Sequence, residues 1–280
     1  MRFKLTLFLT SSFGRKLPLN YQYEQSAAIY RILAQANEEY TVWLHENGYK
    51  LASGKRFKLF SYSRFEVEKY RILKQTAELE ILSDNVVWYI SFLPEKSTEQ
   101  FITGIFNNQQ FEVGTRKSNV RFQVQSVELM PPPIFSDKMS YETLSPICLA
   151  LKQPEGYDQY IAPNHPEANR LIKQNLLDKY WASTGNEFSL DDFPFVVEVL
   201  NEPKSNLIHI KSGTPQASKV RGFMCNIRLT APVELQKIAY ETGIGSKNSI
   251  GFGMVREVNG WVYKNSIVFG IVKEVGPKHI

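Results

Sequence analysis

The chain has 280 residues, 43% of them apolar and 22% charged, and its length favours two modest cores over one large one. Its formal charge of +5 fits a polyanion partner without demanding one, and no stretch reaches the ~18 apolar residues of a membrane span, so a soluble protein is expected. Two cysteines, Cys148 and Cys225, are too few for a disulfide scaffold or a thiolate metal site and lie in apolar runs, so packed, reduced thiols and a cytoplasmic location are expected.

Residues 1–10 carry Arg2 and Lys4 inside a short apolar run with no small-residue cleavage site, so they read as a first strand rather than a signal peptide. A helix is expected from Tyr23 to Gln35, with Ala27, Ala28, Ile32 and Leu33 on its inner face. Ala36-Asn37-Glu38 offers a turn before a short second helix carrying Trp43, Leu44 and His45. Strands at Phe57–Phe65 and Val86–Phe92, a helix at Pro94–Phe106 and strand material at Phe111–Leu129 complete β–α–β–β–α–β over residues 1–130. Met130-Pro131-Pro132-Pro133 then removes three backbone donors in a row, which marks residues 131–140 as a linker.

The second half, residues 141–258, repeats the rhythm. A strand is expected near Thr143–Leu151, and Asn164-His165-Pro166-Glu167 has the cap and first-turn proline of a helix reaching Trp181. Strands follow at Phe195–Leu200, Leu207–Lys211 and Lys219–Leu229, then a helix at Pro232–Tyr240, a glycine-rich loop, and a last strand to Val258. The fold expected is α+β, with two tandem ferredoxin-like (RRM-like) domains and an extension at 259–280 that holds one strand-like run, Ser266–Val272.

The glycine loop, residues 243–253, combines Gly243, Gly245, Gly251 and Gly253 with Ser246 and Lys247. Such a loop can bring bare N–H groups to a phosphate. Its helix–loop–strand order is the reverse of the nucleotide-binding strand–loop–helix, so no nucleotide cofactor is expected. None of His45, His165, His209 and His279 pairs at zinc-motif spacing, and no metal site is expected.

His45 has Lys50, Lys55, Arg56 and Lys58 within thirteen positions. That neighbourhood suits acid–base chemistry on a phosphodiester; the alternative is a surface histidine beside a solvated basic loop. Tyr30 lies fifteen positions earlier, roughly 22 Å on one unbroken helix, so the two rings can share a phosphate only if the helix breaks and folds back. Read alone, Tyr30 is a core aromatic. Cations and aromatics alternate from Lys55 to Phe65, as in nucleic-acid-binding strands or an amphipathic strand with a solvated face, and Lys219-Val220-Arg221 is a weaker case.

These pieces coincide with a known pattern. Asn20-Tyr21-Gln22-Tyr23 with Ile29-Tyr30, Leu44-His45-Glu46, Lys58-Leu59-Phe60-Ser61-Tyr62-Ser63, Thr143-Leu144-Ser145-Pro146-Ile147, Leu177-Asp178-Lys179-Tyr180 and the segment from Gly243 to Val255 run in order along most of the chain. With them the chain resembles the CRISPR repeat-RNA endoribonucleases of the RAMP superfamily; residues 66–130 and the tail past Arg256 carry little of the likeness. The resemblance implies metal-independent cleavage of CRISPR repeat RNA, in which the ribose 2′-OH attacks the adjacent phosphate and leaves a 2′,3′-cyclic phosphate and a 5′-OH. It implies His45 as general base or acid, Tyr30 as the group that orients the 2′-OH or protonates the leaving oxygen, and Lys58 as stabiliser of the phosphorane. The insert Tyr49–Phe57 adds Lys50 and Lys55, either of which could take that last role.

The RNA surface expected comprises Lys50, Lys55, Arg56, Lys219, Arg221, Gly243, Gly245, Ser246, Lys247 and Gly251. Partners expected are the repeat RNA and other CRISPR effector subunits, with the protein itself a monomer or homodimer. Some relatives bind the repeat without cutting it, so a catalytically inactive RNA-binding subunit is the alternative reading.

Overall fold

The computed structural model describes residues 1–258 apart from 11–12, 190–191 and 212–214. The first half begins with β1 (Arg2–Leu9), β2 (Lys16–Pro18), α1 (Gln22–Ala36) and α2 (Glu38–Glu46). Short strands follow: β3 (Tyr49–Lys50), β4 (Arg56–Phe57), β5 (Phe60–Tyr62), β6 (Glu66–Val67), β7 (Tyr70–Leu73) and β8 (Glu78–Ile81). It closes with β9 (Asn85–Phe92), α3 (Glu95–Asn107), β10 (Gln110–Gly114) and β11 (Asn119–Met130).

The main sheet of this half is antiparallel in the order β10-β11-β1-β9-β5, with β6 also pairing β9. Removing the added edge β10 leaves β11-β1-β9-β5, the fourth, first, third and second strands of a βαββαβ unit. Alternation builds its core. Phe3, Leu5, Leu7 and Leu9 of β1 point inward beneath α1 and α3, where they meet Ile29, Ile32, Leu33, Phe101 and Ile105, with Trp88 and Phe92 from β9.

The second half runs β12 (Lys138–Thr143), β13 (Leu149–Lys152), β14 (Asp158–Ile161), α4 (Ala168–Thr184), β15 (Val196–Val199), β16 (Lys204–Ile210) and β17 (Ser218–Met224). Then come β18 (Asn226–Thr230), α5 (Val233–Thr242), a single 3₁₀ turn at Asn248–Ile250 and β19 (Val255–Glu257). Its sheet order, β15-β18-β12-β19, is again second, third, first, fourth, so the two tandem ferredoxin-like domains stand as expected. The β13–β14 and β16–β17 hairpins are additions to this frame.

Several boundaries differ from the sequence expectation; Phe57–Phe65 holds two short strands, Arg56–Phe57 and Phe60–Tyr62, and α4 begins at Ala168, beyond the expected Asn164–Glu167 cap. The strand expected at Thr143–Leu151 is two: β12 begins at Lys138, inside the expected linker, and residues 144–148 bend away to pair elsewhere. There Leu144 N–H donates to Met254 O at 2.7 Å, and Ile147 exchanges bonds with Phe223 at 2.9 Å. The run Lys219–Leu229 is interrupted at Cys225, whose N–H donates to Thr143 Oγ1 at 3.0 Å instead of to a ladder partner. The last strand is only Val255–Glu257, because Gly251–Met254 belong to the glycine loop. The run Ser266–Val272 lies outside the described residues. Cys148 and Cys225 are buried and unpaired, and burial raises their thiols to about 11 and about 12. No helix among the described residues is long and apolar enough to cross a membrane.

The two domains meet across the glycine loop. Its 3₁₀ turn rests on the first domain, where Ser26 Oγ donates to Ser249 O at 2.7 Å. Gly251 has φ +94°, and a Cβ there would stand 2.6 Å from the Cβ of Gln22 and 3.3 Å from the Tyr62 ring. Left-handed backbone and close approach both require glycine. Gly251→Ala should therefore cost roughly 2–4 kcal/mol, read as a lower urea midpoint with unchanged m-value. A midpoint equal to wild type would show that the seam tolerates a side chain.

Candidate functional site

Asn37 makes the helix reversal. Its extended backbone ends α1, with its N–H on Leu33 O, and its side chain accepts from Tyr40 N at 2.8 Å to cap α2. Folding α2 back along α1 brings Tyr30 and His45, fifteen positions apart, to a ring-centroid distance of 5.1 Å at an interplanar angle of 85°. Tyr30 is half-buried and also meets Phe60 edge-on at 5.9 Å, whereas His45 is exposed on the last turn of α2. Burial, and secondarily the nearby Tyr40, raise the Tyr30 phenol well above its ordinary value. It therefore holds its proton at neutral pH.

The C-terminus of α2 is closed by two cations. Lys58 Nζ donates to the carbonyls of Leu44 and His45, the latter at 2.6 Å, and Arg56 donates to Glu46 O at 2.8 Å. These groups satisfy carbonyls that have no partner within the helix. Burial, and secondarily Arg56, lower the Lys58 pKa. Lys55 Nζ lies 2.5 Å from the Asp178 carboxylate of the second domain. Lys50, opposite Arg56 in the β3–β4 hairpin, is exposed, and no hydrogen bond or ion pair among the described residues engages its side chain. Tyr30, His45 and this hairpin thus form one neighbourhood with a free cation at its edge.

The remaining expected residues lie on the second domain. Lys219 and Arg221 are exposed on β17, opposite His209 and Leu207 of β16, and Arg221 bonds the Ser205 hydroxyl. The glycine loop is folded inward. Gly243 N–H donates to Ala239 O, Gly251 N–H to Asn248 O and Ser246 N–H to Cys148 O, at 2.9 to 3.1 Å. Gly243, Gly245 and Gly251 are buried, and a Cβ on Gly245 would stand 2.5 Å from Cys148 O. Ser246 and Lys247 are half-buried, and Lys247 takes φ +62° at the outer turn. Of the expected loop residues only Ser246 and Lys247 are partly exposed, and the Ser246 hydroxyl donates to Cys148 O at 3.1 Å. Among the described residues no three His, Cys, Asp or Glu side chains stand together as a metal-binding set.

Sequence reasoning gave no role to Lys179. It is 2% exposed on α4, and its ammonium donates to Gly243 O at 2.7 Å and Gly245 O at 3.1 Å. It shares the buried stripe of Ile172 and Leu176, and a lysine in that phase is the signal that could have found it.

Two family models match consecutive stretches of the chain. A family model described as CRISPR-associated protein Cas6, N-terminal, matches residues 16–128, and one described as CRISPR associated protein Cas6, C-terminal, matches 129–257. CRISPR-associated endoribonuclease Cas6 1 of Methanocaldococcus jannaschii is 30% identical over 246 residues, covering 86% of this chain and 87% of the relative. CRISPR-associated endoribonuclease Cas6 of Pyrococcus furiosus is 29% identical over 242 residues, covering 86% and 83%. A solved structure of a Cas6-related gene product from Pyrococcus furiosus superposes with a TM-score of 0.77 at 23% identity, over 93% of this chain and 99% of that one, which is a likeness of fold.

Burial lowers the Lys179 ammonium from its ordinary value to about 7. An unfolded chain holds that proton up to about pH 10.4, so between roughly pH 7 and 10 unfolding takes up a proton and stability rises with pH. Below pH 7 both states are protonated, and the penalty for burying the charge is full and constant. In Lys179→Met this titration is absent, so urea denaturation should show the wild type gaining stability relative to the variant between pH 7 and about 9.5. A constant difference across that range would mean that Lys179 does not titrate there.

Proposed function

The chain belongs to the Cas6 family of CRISPR-associated proteins, and from that premise we propose that it is an endoribonuclease that cuts CRISPR repeat RNA by attack of a ribose 2′-OH on the adjacent phosphate. The Tyr30–His45 contact carries this reading. It sets an exposed imidazole beside a proton-holding phenol, with a basic hairpin next to them. The homologues named as endoribonucleases support the activity class.

In this mechanism His45 takes the 2′-OH proton as the oxygen attacks phosphorus. Negative charge grows on the nonbridging oxygens, where an ammonium stabilises it. Lys58 is held by two carbonyls, so it positions the His45 turn, and the stabilising role passes to Lys50. As the P–O5′ bond breaks, Tyr30 donates its proton to the departing oxygen; an alkoxide is more basic than a phenolate, so the transfer runs downhill even from a phenol of raised pKa. The adjacent imidazolium then returns a proton to Tyr30, leaving a 2′,3′-cyclic phosphate and a 5′-OH. No step uses a metal ion, and Lys219, Arg221 and Lys247 supply cations along the path of the bound strand.

Labelled repeat RNA incubated with the protein in EDTA should give a cyclic-phosphate product. His45→Ala should lower the single-turnover rate about 10²-fold or more, and Tyr30→Phe and Lys50→Ala about 10-fold or more, with binding largely kept. A 2′-deoxy residue at the scissile position should abolish the cut. Tight binding by the wild type without cleavage would instead assign the protein as an RNA-binding subunit, and full activity of His45→Ala would remove His45 from the chemistry.

A further inference from the structure

The β3–β4 hairpin, residues 49–57, is too small to hold its own shape. It has two paired rungs, Tyr49 with Phe57 and Lys50 with Arg56, and a turn closed by Leu51 N–H to Lys55 O and Gly54 N–H to Leu51 O, both 2.9 Å. An isolated two-stranded hairpin is marginal in water even when longer. Its base is fixed to α2 through Arg56 on Glu46 O and the edge contact of Tyr49 with Trp43 at 5.3 Å. The far end buries Leu51, 5% exposed, and carries a charged tie as well. Lys55, at the end of the turn, reaches Asp178 on α4 of the other domain.

Asp178 differs from one half of a surface ion pair. It is 8% exposed, one carboxylate oxygen accepts from Lys55 at 2.5 Å, and the other accepts from Gln174 Nε2 at 2.9 Å. Exposed pairs contribute little because water competes for both charges, but a carboxylate this far removed from water leaves a buried charge when its partner departs. The next residue, Lys179, holds the Gly243 and Gly245 carbonyls. One turn of α4 therefore grips the tip of the hairpin with one side chain and the glycine loop with the next.

We propose that Asp178 is a positioning residue for the cleavage assigned above: by anchoring Lys55 it sets where the hairpin carries Lys50 relative to Tyr30 and His45. This rests on the endoribonuclease reading for its consequence, though the anchoring does not. A carboxylate in the second domain thereby governs a site whose reacting side chains all belong to the first. Misplacement by about 1 Å costs orders of magnitude in rate when a charge must meet a transition state, while ground-state binding spread over many phosphates barely changes.

The test uses the full chain and two readouts. Asp178→Asn keeps the shape and the Gln174 contact and removes the charge. Without RNA, it should speed hydrogen exchange at the Leu51 and Gly54 amides about 10-fold or more while the α1 and α2 amides keep their protection. With saturating repeat RNA it should lower the single-turnover rate constant about 10-fold and change Kd by less than about threefold, a split that general destabilisation does not give. Lys55→Met, on the half-exposed side of the pair, should reproduce the exchange effect, and the double variant should be no worse than either single one. Asp178→Glu should recover most of the rate. Unchanged exchange at Leu51 and Gly54 in both single variants overturns the anchoring, and faster exchange with an unchanged rate overturns its link to cleavage. A wild type that binds RNA without cutting overturns the endoribonuclease reading and with it the catalytic half of the proposal, and the exchange data alone then decide the anchoring.

Discussion

A buried guanidinium joins the two halves of this protein. Arg2, on the first strand and 4% exposed, donates to Tyr240 O and, at 2.7 Å, to Val255 O, and its plane lies 3.6 Å from the centroid of the Tyr240 ring. It crosses from the first sheet to the end of α5 and the start of β19, where the second domain would otherwise leave carbonyls without donors. Fixed dipoles and an aromatic face replace the hydration of its two terminal nitrogens, while Nε is buried without a partner. Beside apolar contacts, in which Tyr23 and Leu93 of the first domain pack on buried clusters of the second, the seam carries directed polar bonds from Ser26 to Ser249 and from Arg64 to Asn206 at 3.1 Å. Such contacts specify one relative placement of the domains, which apolar packing alone does more loosely.

That placement matters because the candidate site draws on both sides of the seam. The Tyr30–His45 pair is local, on two consecutive helices turned by one asparagine cap. The support is distant: α4 meets the hairpin beside the pair, and the same helix secures the loop that fills the seam. In the mechanism proposed above, a short-range motif supplies the chemistry and a long-range frame supplies its geometry.

Much of this was legible in the sequence, and the failures have physical causes. The reversal at Asn37 could be read because Ala36-Asn37-Glu38 offers a turn and because Tyr30 and His45 can share a phosphate only if the helix folds back. The β–α–β–β–α–β rhythm could be read twice from period changes, yet the start of β12 at Lys138 is hidden because the proline run before it resembles a long linker. The helix-capping role of Lys58 was not legible: spacing places a lysine near a histidine, but only the fold-back of the hairpin shows that its ammonium faces carbonyls. The glycine loop could be read as a turn and not as a seam, since the contact that excludes a side chain at Gly251 is with Gln22, at the opposite end of the chain. Lys179 escaped for a similar reason, because a lysine on a helix ordinarily reads as solvated.

The two cations that close α2 have an electrostatic consequence. The C-terminal end of a helix is its negative pole, about half an elementary charge, and by itself would repel an approaching phosphodiester. Here Lys58 and Arg56 place two full positive charges on the last three carbonyls, so the local potential changes sign. The imidazole of His45 is thus presented from an end of a helix that nature normally keeps for cations, and a polyanion can approach it without working against the field of the backbone.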